Sequence, residues 1–239
     1  MMPHNSISTY ILRSIVFSML LLALPLAAQG QSSRSKAAME KMRLKQIDDS
    51  IPFFRGVEVM VDVIGPIQKA VSDYGQYEAG LRINFKDKYF PVVEIGYGKA
   101  DHNDIATLLS YKTSAPYGKV GCDFNLMKNK HDDYRVYIGA RYALTYFKCD
   151  IARPDVTDPV WGGEVPFSAQ GVKANYHWLE FLAGVDAKIA GPFRLGWTAR
   201  YRRRVHYDNG VMGNVWYVPG YGKQGASRIS GTFNIIFEF

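Results

Sequence analysis

Cysteine is scarce in this chain, and long apolar runs are missing from most of it. The 2 cysteines among 239 residues exclude a disulfide scaffold. Beyond residue 30 no stretch reaches the roughly 18 apolar residues of a membrane-spanning helix. The 5 histidines include no two at metal-ligand spacing, so neither a metal nor a cofactor is expected. Lysine and arginine exceed the acids, for a net charge of +7, but they are scattered and build no compact basic helix. That scatter argues against nucleic acid and suits anionic lipid headgroups. What the chain does hold is 16 tyrosines, 22 glycines and too many apolar residues for disorder.

The N-terminus reads as an address. In residues 1–30, Arg13 precedes an apolar stretch over 15–24, Pro25 breaks it, and Ala28 and Gly30 offer small residues for cleavage before Gln31. No cysteine sits there, so the segment is not a lipoprotein signal. Residues 31–55 read as a polar periplasmic tail, with helix formers over 36–49 that predict a short helix.

From Gly56 the pattern switches to period two, and residues 56–239 read as one barrel domain. Eight segments alternate, at 56–64, 76–85, 90–99, 115–126, 134–148, 175–189, 193–207 and 228–239. Prolines fall outside the strand centres on these boundaries. Every second connection is short (86–89, 127–133 and 190–192), and the rest are long. Tight turns on one side and long loops on the other mark an antiparallel up-and-down transmembrane β-barrel, with both termini periplasmic in a cell outer membrane. The longest loop, 150–174, carries Trp161, Gly162 and Gly163 near its tip and is the natural surface for adhesion.

Each strand has an apolar and a polar face. Strand seven sets Phe193, Leu195, Trp197, Ala199 and Tyr201 against Arg194, Thr198, Arg200, Arg202 and Arg204. A membrane barrel turns the apolar face to lipid, so the charged face becomes the lumen. Tyr97, Tyr117, Tyr146, Tyr176 and Trp197 are expected in the interface belts. The inward acids are then Glu58, Asp62, Glu78, Glu94, Asp123, Glu180, Asp186 and Glu238. The inward bases are Arg82, Lys119, Arg141, Lys188, Arg194, Arg200, Arg202 and Arg204. Signs balance, and buried charges must pair. Turn positions put Arg82 nearly opposite Glu94, and Glu180 opposite Arg202 or Arg200. Eight strands leave room only for side chains, so the expected lumen is an ion-pair plug.

These features resemble small outer-membrane barrels such as the transmembrane domain of outer-membrane protein A, over Gly56 to Phe239. The terminal Phe239, with Phe237, Ile235 and Phe233 on the same face, is similar to the signal read by the barrel assembly machinery. No peptidoglycan-binding domain follows the barrel, unlike that protein. The glutamine after the signal and the tyrosine-rich strands resemble small barrels of the Bacteroidota, including the domain of unknown function 6048 family. The resemblance implies no chemistry. It makes service as an accessory subunit of a larger outer-membrane complex plausible, with outer-membrane lipids and lipopolysaccharide around it.

Chemistry is sparse. A lipid A-modifying barrel needs a serine within hydrogen-bond reach of a histidine. His177 lies on the lipid face and His206 on the inner face of the proposed register, and neither has a serine two residues away on its strand. Ser168 and Ser227 sit in or beside loops, and His102 and His131 in connections. GYGKAD at Gly96 ends a strand before a loop, which does not support phosphate binding. The leading expectation is a non-enzymatic barrel that engages partners through external loops or its tail; the alternatives are a lipid A-modifying enzyme or a small-solute pore. Cys122, near Ile138 across the sheet and facing lipid, is too far from Cys149 for a disulfide. Cys149 is expected at the external rim, open to reagents.

Overall fold

In the computed structural model, the described residues are 32–239 except 158, 159, 161 and 214. The expected signal and Trp161 lie outside them. The chain divides into two units, Met1–Ile51 and Pro52–Phe239. The first contains helix α1 (Ser32–Ser50), longer than the 36–49 stretch expected. Its Met39 and Met42 are exposed, and it has no strongly apolar face.

The second unit is a closed barrel of β1 (Phe54–Asp62), β2 (Tyr74–Phe85), β3 (Tyr89–Asn103), β4 (Ser110–Asn125), β5 (Tyr134–Thr157), β6 (Glu164–Ala190), β7 (Phe193–Asp208) and β10 (Ser227–Glu238). Each strand pairs antiparallel with its neighbour in sequence, and β10 closes on β1. Helix α2 (Ile64–Val71) joins β1 to β2, and a small hairpin of β8 (Tyr217–Val218) and β9 (Gly222–Lys223) lies between β7 and β10.

Turns 86–88 and 191–192 and connection 126–133 lie at the end where the barrel starts and finishes. The three-residue turn forces Lys86 and Asp87 into the left-handed region at φ 53°. Asn84 makes this tolerable: its side chain accepts from the Asp87 N–H at 2.8 Å and donates to Asp87 Oδ1 at 2.7 Å.

The strands run further at the opposite end than the sequence pattern suggests. Most of the expected 150–174 loop is strand, because inward–outward alternation continues past Lys148: Cys149 and Ile151 are buried while Lys148, Asp150 and Ala152 are exposed. Register shifts between Cys149 and Ile151 and between Arg153 and Val156 absorb the irregularity around Pro154. Proline also enters a strand centre. Pro116 sits mid-β4, and the β4–β5 register steps from Thr113↔Cys149 to Tyr117↔Thr145 with no pairs between. Two inward threonines span that gap: Thr113 Oγ1 donates to Lys148 O at 2.8 Å and Thr145 Oγ1 to Pro116 O at 2.9 Å.

The outward face is apolar and exposed, as at Val93, Ile95, Phe181, Val185 and Trp197. Aromatics collect at both of its edges. Phe54–Phe85, Tyr89–Phe124 and Phe193–Phe237 pair at the short-turn end, and Tyr77, Tyr97, Tyr142, Tyr146 and Tyr201 stand exposed toward the other. Trp197 is outward, as expected. Tyr117 and Tyr176 are not: they share the parity of Lys119 and Glu180 and point inward, 4% and 0% exposed. Cys122 lies opposite Ala140 and Cys149 opposite Thr113, about 30 Å apart along β5. Both thiols are free. Cys149 is 1% exposed rather than open at a rim, since β5 continues past it, so an impermeant maleimide is expected to leave it unlabelled until unfolding.

The last residue completes the seam between β1 and β10. Phe239 N donates to Val57 O at 2.8 Å and Val57 N to Phe239 O at 3.0 Å. Gly56, at φ 146°, lies so close that a Cβ there would stand 2.1 Å from Phe239 O. Deleting Phe239 or substituting Gly56→Val should leave this seam open at one end, and a bilayer tolerates no open edge. The expected result is a large loss of heat-modifiable folded protein on electrophoresis; wild-type amounts from both variants would refute the role of the seam.

Candidate functional site

The inward faces converge on a charged lumen. Its lower layer centres on Glu58 and Arg82, which are direct cross-strand partners. Arg82 Nε donates to Glu58 Oε2 at 2.7 Å and Nη2 to Asp186 Oδ2 at 3.1 Å, with Asp123 Oδ2 3.6 Å from Nη1. Its guanidinium lies between the rings of Phe90 and Tyr137, 5.1 and 5.2 Å from their centroids. Arg194 donates to Asp186 at 2.8 Å. Arg135 meets Glu58 at 2.5 Å and Glu238 at 3.2 Å.

The upper layer is organised by Arg141, Arg200, Arg202 and Lys119. Arg141 grips Asp123 through both terminal nitrogens at 2.7 and 3.0 Å, and its Nε donates to Glu94 at 2.8 Å. Arg200 Nη1 reaches Glu78 at 2.9 Å, Glu94 at 2.8 Å and Glu180 at 3.3 Å. Lys119 Nζ is 2.8 Å from Glu78 and 3.1 Å from Glu180. Glu180 pairs with Arg202 across β6 and β7, Nε to Oε1 at 2.7 Å.

Several expected placements differ. Arg82 is not opposite Glu94. The turn after β2 has three residues, so Phe85 pairs with Tyr89, Arg82 faces Val92 and Glu94 faces Gly80. Asp62 is buried but makes no ion pair within 4 Å among the described residues; it accepts from Ile64 N and Gly65 N and caps the start of α2. Lys188 is exposed beside the register shift before Ala190. Another shift, opposite the step from His177 to Trp178, leaves Val205 unpaired and changes the parity of β7 above Arg204. It leaves Arg204 half-buried, stacked over Tyr207 at 3.7 Å, and turns His206 outward beside His177, with ring centroids 5.7 Å apart. Arg135 was missed, although it shares the parity of Arg141.

Above the charges the lumen turns aromatic. Tyr111, Tyr117, Phe147, Tyr176 and Trp178 are buried against Val215, Tyr217, Val218 and Tyr221 of the β7–β10 connection. That connection folds back into the mouth. Tyr111 OH donates to Tyr217 O at 2.7 Å, Arg202 Nη1 to Tyr221 O at 3.0 Å, and Tyr217 OH to Gly75 O at 3.3 Å. Close approach requires glycine twice: a Cβ on Gly98 would meet Pro219 at 2.7 Å, and one on Gly220 (φ 79°) would meet the Tyr117 ring at 2.5 Å. The signal was present in residues 215–221, which are too apolar for a solvent loop.

At the short-turn end, Asp87 accepts from or pairs with Asn84, His131 and Arg135. Burial raises its carboxyl pKa, but the hydrogen bonds from His131 and Asn84 and the charges of Arg135 and Arg55 outweigh burial and hold it below the usual carboxylate range. Among the described residues no cluster of three or more metal-ligating side chains occurs.

A family profile, Domain of unknown function (DUF6048), matches residues 10–238. The chain belongs to that family. No curated protein matches it. Among solved structures, this DUF6048 chain is similar to Neisserial surface protein A at 12% identity and TM-score 0.42, covering 78% of this chain and 99% of that one. It is also similar to the attachment invasion locus protein of Yersinia pestis, at 9% identity and TM-score 0.40, over 77% and 98%. A major outer membrane protein from Thermus thermophilus follows at 12% and 0.39, over 77% and 98%. None of these likenesses says what a DUF6048 barrel does.

Two outcomes are expected. Arg82→Ala should destabilise the folded chain by roughly 3–5 kcal/mol, against about 0–1 kcal/mol for the surface change Lys188→Ala, because three buried carboxylates lose a partner. Urea unfolding in detergent measures both, and equal costs would mean a wet lumen. The second concerns acid. The Asp87 carboxyl has a lowered pKa when folded, so its contribution to stability is complete above the unfolded pKa of about 4 and is lost as pH falls through the folded value. Asp87→Asn should therefore be less stable than wild type at neutral pH and converge with it in acid; a constant gap would contradict this.

Proposed function

We propose that the protein is a non-conducting outer-membrane β-barrel, a structural or accessory subunit that meets partners through its long-loop face or its N-terminal helix. The carrying observation is the filled lumen. Paired side chains occupy the middle, and the folded-in connection covers them at one end. The exposed apolar wall with aromatic edges supports a lipid surround. Because β1 begins and β10 ends at the short-turn end, this reading puts the barrel termini in the periplasm and the α2 and β5–β6 projections outside. Lipopolysaccharide would surround the wall, and the assembly machinery would read Phe233, Ile235, Phe237 and Phe239.

The enzyme alternative finds little support. His177 Nδ1 meets Tyr142 OH at 2.7 Å on the outer wall, and among the described residues neither His177 nor His206 hydrogen-bonds a serine. Planar-bilayer recording of the purified full chain, with cell fractionation alongside, tests the proposal. We expect recovery in the outer-membrane fraction and no stable unitary conductance. Reproducible channel steps would favour the pore, and an altered lipid A acylation pattern in cells carrying the protein would favour the enzyme.

A further inference from the structure

On the outer wall, where the apolar belt ends, two lysines stand directly opposite each other. Lys148 of β5 and Lys173 of β6 are cross-strand partners, both exposed and both outward. They lie two residues beyond Tyr146 and Asn175, which also pair. Like charges directly opposite on one sheet face destabilise it. Among the described residues neither ammonium makes a hydrogen bond or ion pair. The contrast with Lys112 is plain, since its Nζ is 3.3 Å from Asp101. The nearby acids Asp208 and Asp150 make no ion pair with either lysine among the described residues and each accept a backbone N–H instead. Asp208 accepts from Gly210 N at 2.8 Å and Asp150 from Gly171 N at 2.6 Å.

A second observation coincides with the first. A groove of about 520 Å³ crosses β4, β5 and β6 at this height, bordered by Ser114, Tyr146, Lys148, Lys173, Asn175 and Asp208. It lies over the gap that Pro116 opens in the β4–β5 ladder. Its size falls in the range of small-molecule sites. Its chemistry is specific: two ammonium groups with no ion pair among the described residues, the Ser114 hydroxyl beside them, the Asp208 carboxylate at one edge, and the Asn175 amide level with Tyr146 at the lipid boundary.

We infer that this groove is a binding site for the phosphorylated headgroup of a lipid in the outer leaflet. A phosphate between Lys148 and Lys173 removes their repulsion, and the acyl chains continue down the apolar wall below Tyr146. Lysine stems reach the headgroup level while keeping their charge in a polar layer. The inference rests on the outer-membrane reading above and adds a defined site and headgroup chemistry to it.

The test is native mass spectrometry of the full chain, folded in a neutral detergent, with purified diphosphorylated lipid A as probe. Wild type should retain one lipid A, and Lys148→Gln with Lys173→Gln should weaken retention about tenfold or more. Lys188→Gln, at the opposite end, should leave it unchanged, and millimolar inorganic phosphate should not displace the lipid. Equal retention by wild type and the double variant, or displacement by inorganic phosphate alone, would overturn the site. Electrophoresis with and without heating separates the two failures. A chain with no heat-modifiable form overturns the barrel reading and the site with it, while a folded chain with unchanged binding overturns only the site.

Discussion

Everything in this barrel follows from the cost of enclosing charge. Strand geometry sends alternate residues to opposite sides, so a wall that is apolar outside must present its other residues inward. Eight strands enclose a space that side chains alone can fill. Glu58, Glu78, Glu94, Asp123, Glu180 and Asp186 are thereby confined with Arg82, Lys119, Arg135, Arg141, Arg194, Arg200 and Arg202, all nearly or fully buried. Isolated, each ion would cost several kcal/mol or more of desolvation. Shared, they form one network in which Arg200 touches three carboxylates and Glu58 is held by two arginines. A buried network of this kind is weak evidence for net stability against an apolar core. Its clearer consequence is that register matters, because a slip of one residue would send the charges into lipid.

The two ends of the barrel solve different problems. At the short-turn end, Asp87 and Asn84 stabilise a turn that non-glycine residues adopt reluctantly, and Arg135 ties that turn to Glu58 and Glu238. At the other end the inward face changes from charged to aromatic, and the β7–β10 connection supplies Val215, Tyr217, Val218 and Tyr221 as a lid. The surfaces left uncovered are then the long-strand rim, with strands β5 and β6, and the wall itself.

The architecture was legible because period-two alternation is a direct imprint of the two-sided wall. Strand count, closure and most inward charges follow from parity alone. What was not legible depends on local departures from parity. The extra residue Val205, opposite the step from His177 to Trp178, reverses the facing of β7 above it while β6 keeps its parity, which misplaced His206 and loosened Arg204. The turn after β2, one residue shorter than expected, moved Arg82 away from Glu94 and left it with Glu58. Asp62 has the composition of an ion-pair partner but the position of a helix cap, and only the chain's turn into α2 distinguishes them. Pro116 marked a strand start and Pro154 a loop in the sequence, whereas in the fold they mark a ladder gap and a bulge inside long strands.

The lumen is a dry network in which partners depend on one another. A double-mutant cycle on Arg141 and Asp123, joined by two parallel hydrogen bonds, measures it most directly. Arg141→Met, Asp123→Leu and the double variant would be unfolded by urea in the same detergent. A coupling energy in the upper part of the roughly 0.5–3 kcal/mol seen for contacting residues is the predicted result. Additive effects, with coupling near zero, would mean that water screens the pair and that the lumen is open.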